Sequence, residues 1–184
     1  MARIPYVEPA TAPAAVREVL ERLPVKLNIF KLIAHAETSF RPLLRLGTTI
    51  LSQQQLKGNF RELAILRVAQ LSGAEYEWVQ HVPIAHATGV TQAQVAALRR
   101  GEIDPACFDL VERLVLRFTT EVVRDVGASP NTFAAMQQHF SSREIVELVL
   151  AVGFYMTIAR LMETTAIDLD PPAGTRVVDS MRRS

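Results

Sequence analysis

From Phe60 to Thr88 the chain reads as two helices joined at Ser72-Gly73, and that turn fixes how they meet. Phe60–Leu71 is strongly helical by its apolar spacing; a second helix runs from Ala74 to Thr88, where Gly89 stops it. A connection this short favours an antiparallel pair. Among these core-forming residues stand three ionisable ones. Glu62 is first, Glu77 follows fifteen residues later, and His81 lies one helical turn beyond Glu77. Burying such groups is costly unless they are paired or used.

The rest of the chain has the same helical period, and strand alternation is nearly absent. Helices are predicted over 14–23, between Pro13 and Pro24, and over 28–36. Ser39 is read as the cap of a helix reaching Gln54. Thr91-Gln92-Ala93-Gln94 and Ser141-Ser142-Arg143-Glu144 have the form of capping boxes, opening helices to about Arg100 and Ile167. Asp104-Pro105 and Ser129-Pro130 read as a cap followed by a first-turn proline, the first opening a helical stretch, continuous or interrupted, towards Val123 and the second a helix to His139. Phe60-Arg61-Glu62-Leu63-Ala64 is echoed by Ser142-Arg143-Glu144-Ile145-Val146. The echo suggests a duplicated helical unit, although Arg-Glu-Leu is also a common way to start a helix. The expected fold is all-α, a single helical domain over 1–170 around a central antiparallel helix pair, with a polar tail over 171–184.

Composition narrows the function classes. With 184 residues, 49% of them hydrophobic, the chain can bury one real core. Its net charge is +1 and no basic block interleaves with aromatics, so nucleic acid is not an expected partner. No stretch approaches the roughly 18 uninterrupted apolar residues of a bilayer span, and the N-terminus lacks an apolar signal core, so a cytoplasmic protein is expected. Cys107 is the only cysteine, which leaves no intrachain disulfide or paired redox thiols.

Helix geometry brings the three ionisable residues together. Glu77 and His81 share a face. Glu62 lies eleven residues before Gly73 and His81 eight after it, a mismatch of about 4.5 Å along antiparallel axes. A glutamate side chain spans much of that, so Glu62, Glu77 and His81 can converge between two helices. Two nearby carboxylates push one pKa up, and an imidazole beside them is oriented by its partner. Such a cluster holds an acid and a base together near neutral pH. By spacing alone, an ordinary i,i+4 pair and an ordinary first-turn acid explain these residues as well. A metal site is not expected: ferritin-like helices use Glu-x-x-His, the gap here is four, and no second pair is present. Tyr76 and Trp78 flank the cluster as packing aromatics or as pocket residues.

At these residues the sequence resembles the carboxymuconolactone decarboxylase family, which shares its fold with the AhpD alkyl hydroperoxidases. The resemblance is carried by Arg61-Glu62-Leu63-Ala64-Ile65-Leu66-Arg67-Val68-Ala69, by Glu75–His81, and by Ile84-Ala85 and Gly89-Val90-Thr91. It covers about 56–100, with weaker features such as Asn28 and Gly153 outside that stretch. Redox members carry two cysteines whose matching positions here are Ala74 and Glu77. Thiol attack on a peroxide is therefore unavailable. The resemblance implies a decarboxylase-like enzyme, without metal or organic cofactor, acting on a small anionic organic acid or lactone. In that reading His81, as imidazolium, protonates the substrate carbon, Glu62 orients His81 or acts as base, and Glu77 is a second, partly protonated carboxyl. Tyr76, Trp78 and Arg67 are candidate substrate contacts, with Arg61 and Arg160 as further candidates for the cation an anion needs. A homotrimer or homohexamer is also implied. The alternatives are a peroxidase, which the missing thiols oppose, and a non-catalytic oligomeric ligand-binding protein.

Overall fold

A computed structural model describes residues 1–176 and 179. Among them are nine α-helices and no strand: α1 (Ala14–Arg22), α2 (Asn28–Ile33), α3 (Glu37–Ser52), α4 (Gly58–Ser72), α5 (Glu75–Ala87), α6 (Gln92–Arg99), α7 (Leu110–Asp125), α8 (Pro130–Gln137) and α9 (Ser142–Thr165). The all-α expectation holds.

α4 is the axis of the molecule. Every residue from Arg61 to Ala69 is buried, because α5, α7 and α9 pack around it. A helix enclosed on all sides has no polar face to spare. Leu63, Leu66 and Ala69 feed one apolar cluster, with α2, α5 and α6; Ala64, Ile65 and Val68 feed the other, with α7 and α9. Gly73, at φ +66°, ends α4 in the left-handed region and turns the chain directly into α5.

Local signals explain most boundaries. At α6 the Thr91 hydroxyl accepts from the Gln94 N–H while the Gln94 side chain accepts from the Thr91 N–H. Ser141 and Glu144 do the same at α9. The Ser129 hydroxyl caps α8, with Pro130 in its first turn.

Two expectations are corrected. Asp104-Pro105 opens a turn, not a helix: the Phe108 N–H donates to the Pro105 carbonyl, and the Phe108 ring is buried in the core. Asp109 is the true cap of α7, in a reciprocal box with Glu112 at 2.8 and 3.0 Å. Ser39 lies inside α3 rather than capping it, because the turn after α2 carries straight on at Ala36, whose carbonyl accepts from the Ser39 and Phe40 N–H groups.

α9 is long and apolar enough to cross a bilayer by length and composition, yet half of that stretch is buried inside the fold. Leu148, Ala151, Val152 and Tyr155 are buried, and the helix packs along α4 as a core helix does.

Beyond α9 the chain turns back at Ala166 and crosses α5. The Gln80 side-chain amide donates to the Asp170 and Pro171 carbonyls, both at 3.2 Å, and its oxygen accepts from the Ala173 N–H at 2.9 Å. The Tyr76 hydroxyl donates to Asp170 at 2.5 Å. Asn28 holds the same strap through its backbone N–H to Asp170 and its side-chain amide to the Asp168 carbonyl. Pro171–Ala173, expected within the polar tail, is thus pinned to α5, and Ala173 is buried. The tail's residues 177, 178 and 180–184 lie outside the described residues.

Candidate functional site

The antiparallel α4–α5 pair brings Glu62 against His81. His81 Nδ1 lies 2.8 Å from Glu62 Oε2, and Arg61 Nε donates to Glu62 Oε1 at 3.0 Å. Both carboxylate oxygens of Glu62 are therefore engaged, and the residue is fully buried. A carboxylate only accepts, so His81 donates through Nδ1–H. That leaves Nε2 as the ring nitrogen turned away from Glu62. The Tyr155 ring meets the imidazole edge-on, with centroids 4.7 Å apart. The imidazole plane is fixed from both sides.

Glu77 sits one turn before His81 and is 2% exposed. Neither of its carboxyl oxygens has a hydrogen-bond partner among the described residues. Burial pushes its pKa well above the usual carboxylate range, and the Glu62 and Glu163 charges push the same way. Burial thus favours the neutral acid form of Glu77. Tyr155 is also raised, first by burial and then by the Glu62 and Glu77 charges.

Glu77 and His81 open onto a cavity of about 120 Å³. Its walls come from α2, α3, α5 and α9, with Ala173 and Gly174 of the strap at its edge. Leu27, Ile33, Leu44, Leu51, Phe154 and Ile158 make it strongly apolar. Its polar groups are Glu77, His81, Gln80, Tyr76 and Tyr155. No arginine or lysine lines it among the described residues.

The expected site residues divide accordingly. Glu77, His81 and Tyr76 line the cavity, but the Tyr76 hydroxyl is committed to Asp170. Glu62 does not line it and reaches it only through His81. Trp78 and Arg67, expected as substrate contacts, lie elsewhere. Trp78 stacks beneath the Arg99 guanidinium, 5.0 Å from its ring centre. Arg67 faces α7, bonded to Thr120, Gln70 and the Gly101 carbonyl. The other candidate cations are also placed elsewhere: Arg61 is paired with Glu62, and Arg160 is an exposed residue of α9 bonded to the Met156 carbonyl. Sequence reasoning missed Tyr155, Phe154 and Gln80. Gln80 had a legible signal, standing directly before His81 in α5. Which turn of α9 faces His81 could not be read from a helix apolar on nearly every side.

The Ala74 and Glu77 positions hold no thiol, and Cys107, in the α6–α7 connection, packs half-buried against the core rather than on the cavity.

Comparison with known proteins fits this geometry. The model of the carboxymuconolactone decarboxylase family matches residues 38–121, the span holding Glu62, Glu77 and His81. A peroxidase-related protein with an alkylhydroperoxidase AhpD core from Ralstonia eutropha JMP134 superposes with a TM-score of 0.77 at 19% identity, covering 98% of this chain and 96% of that one. A peroxidase-related protein from Silicibacter sp. TM1040 gives 0.76 at 16% identity, covering 92% of each chain. The debrominase Bmp8, as a cysteine-to-alanine variant in complex with 2,3,4-tribromopyrrole, gives 0.72 at 15% identity, covering 96% of this chain and 95% of that one. At these identities the likeness is one of fold. No curated protein sequence matches the chain. Residues 38–121 thus match the carboxymuconolactone decarboxylase family model, and the chain has the helical fold of the AhpD-core proteins without a Cys-x-x-Cys pair.

Proposed function

We propose that the protein is a cofactor-free acid/base enzyme that moves a proton on, or removes carbon dioxide from, a small organic acid or lactone. One observation carries this reading: a buried carboxyl with no protein partner among the described residues opens onto the same apolar cavity as an imidazole whose far nitrogen is held by a carboxylate. An acid and a base in one apolar cavity are what proton transfer at carbon requires.

In this reading His81 Nε2 is the base. It takes a proton from the carbon beside a carbonyl; the C–H electron pair becomes the carbon–carbon double bond, and the carbonyl π pair moves onto oxygen. Glu77, as the neutral acid, donates a hydrogen bond to the enolate oxygen. Return of the proton from His81 to another carbon completes a shift. In a β-keto or vinylogous acid the C–C bond breaks instead. His81 Nε2 first takes the carboxyl proton; carbon dioxide then leaves, its electron pair stays in the enolate, and the imidazolium returns that proton to carbon. Glu62 is a positioning residue that fixes the tautomer and offsets the imidazolium charge. A homotrimer or homohexamer is part of the proposal, because α9 leaves Val146, Val149 and Leu150 exposed along one face.

The test is proton NMR in deuterated buffer with small lactones and keto acids, carboxymuconolactone included. Wild-type protein should convert or deuterate at least one of them. His81→Ala and Glu77→Gln should each lose about 10²–10⁴-fold of that rate. No conversion and no exchange across the panel would leave a non-catalytic binding protein.

A further inference from the structure

The cavity's charge and wall chemistry go further, towards the class of substrate. We infer that the cavity takes a neutral, single-ring carbonyl compound and discriminates against the anionic acid of the same shape. This rests for its chemistry on the proton shift of the acid/base reading, since loss of carbon dioxide would need a carboxylate in the cavity, and on the cavity alone for its selectivity.

Size comes first. An apolar protein cavity of about 150 Å³ holds benzene, and this one is of similar scale at about 120 Å³. Leu27, Ile33, Leu44, Leu51, Phe154 and Ile158 would surround a ring on several sides. Those side chains offer a ligand nothing but apolar contact.

Charge comes second. Glu62 lies directly behind His81, and the Arg61 cation beside it is spent on Glu62 at 3.0 Å. Arg61 is balanced by Glu62, and no arginine or lysine lines the cavity among the described residues. Desolvating a carboxylate there would go uncompensated. A carbonyl oxygen needs only the hydrogen bond that Glu77 can donate, and Glu77 has no competing partner among the described residues.

Recognition therefore takes one form. The ring lies among the α2, α3 and α9 side chains, and the carbonyl oxygen meets Glu77. The carbon beside the carbonyl then comes within reach of His81. A lactone or cyclic ketone satisfies all three demands, whereas a polycarboxylate satisfies only the last.

The experiment compares acetophenone with benzoate, matched in size, on the full-length protein by NMR titration at pH 7. Acetophenone should bind at least about tenfold more tightly than benzoate and shift methyl signals of Leu44 and Ile158. Leu44→Arg places a cation in the α3 wall and should reverse or abolish that preference. Equal or tighter binding of benzoate by wild type would overturn the inference, and so would failure of both probes to bind. Binding is read without turnover, so the two readings fail separately. Acetophenone binding with no deuterium exchange in any substrate removes the acid/base reading alone. Exchange in a substrate together with a preference for benzoate removes the neutral-ligand inference alone.

Discussion

Glu77 is the residue on which most of the chemistry turns, and its protonation has a measurable consequence for stability. Its folded pKa is raised above the unfolded value. Above about pH 4.3 the unfolded chain releases this proton while the folded chain keeps it. Stability must then fall as pH rises, until the folded pKa is passed, by about 1.4 kcal/mol per pH unit. Urea denaturation from pH 5 upward should show that slope for wild type and a flatter line for Glu77→Gln. Equal slopes would mean Glu77 ionises in the folded protein. Glu62 predicts the opposite kind of cost. Removing it leaves Arg61, 5% exposed, without a counter-charge. Glu62→Ala should cost about 3–5 kcal/mol by denaturant unfolding, as loss of one partner of a buried pair does. The convergence of these residues was legible from helix spacing and the Gly73 turn. Their roles were not. Whether Glu62 or Glu77 meets the cavity depends on how α9 and the strap close around α5, and no local pattern encodes that.

At the scale of elements, the site is made by contacts between helices distant in sequence. Gly47 of α3 faces Phe154 of α9, and a Cβ on Gly47 would stand 3.0 Å from the ring. Both residues line the cavity. Gly47→Ala gains about 1 kcal/mol of helix propensity but drives the Phe154 ring against its neighbours. The expected outcome is a fold of near-native stability whose affinity for acetophenone drops about tenfold, measured by the same NMR titration. Unchanged affinity would show that Phe154 yields away from the cavity. The strap gives a second test. Tyr76→Phe removes its hydroxyl bond to Asp170. This should cost about 1–3 kcal/mol and speed amide exchange at Ala173 more than in α4. Helix starts at α6, α8 and α9 were readable because their caps are local. The strap was not, because Pro-Pro-Ala-Gly reads as an ending when its partners, Tyr76, Gln80 and Asn28, lie far upstream in the chain. Asp104-Pro105 misled for a related reason: the burial of Phe108, a tertiary demand, overrode a local start signal.

For the whole molecule, the outer face of α9 is the unfinished surface. Its inner face, through Leu148, Val152 and Tyr155, is committed to α4 and the cavity. Val146, Val149 and Leu150, three and four residues apart, remain 57%, 42% and 49% exposed on the opposite side. Burying such a side chain fully is worth about 1.5–3 kcal/mol, which favours association once several act together. A self-assembled trimer or hexamer would bury this face, and it would also stiffen the helix carrying Phe154 and Tyr155. Sedimentation should therefore show a single assembled species for wild type. Val149→Asp with Leu150→Asp should move it to a monomer, because neither site touches the α4 side. If the monomer keeps acetophenone binding but with a faster off-rate, assembly acts on the cavity through α9. A wild-type protein that sediments as a monomer at every concentration would rule out self-association through this face.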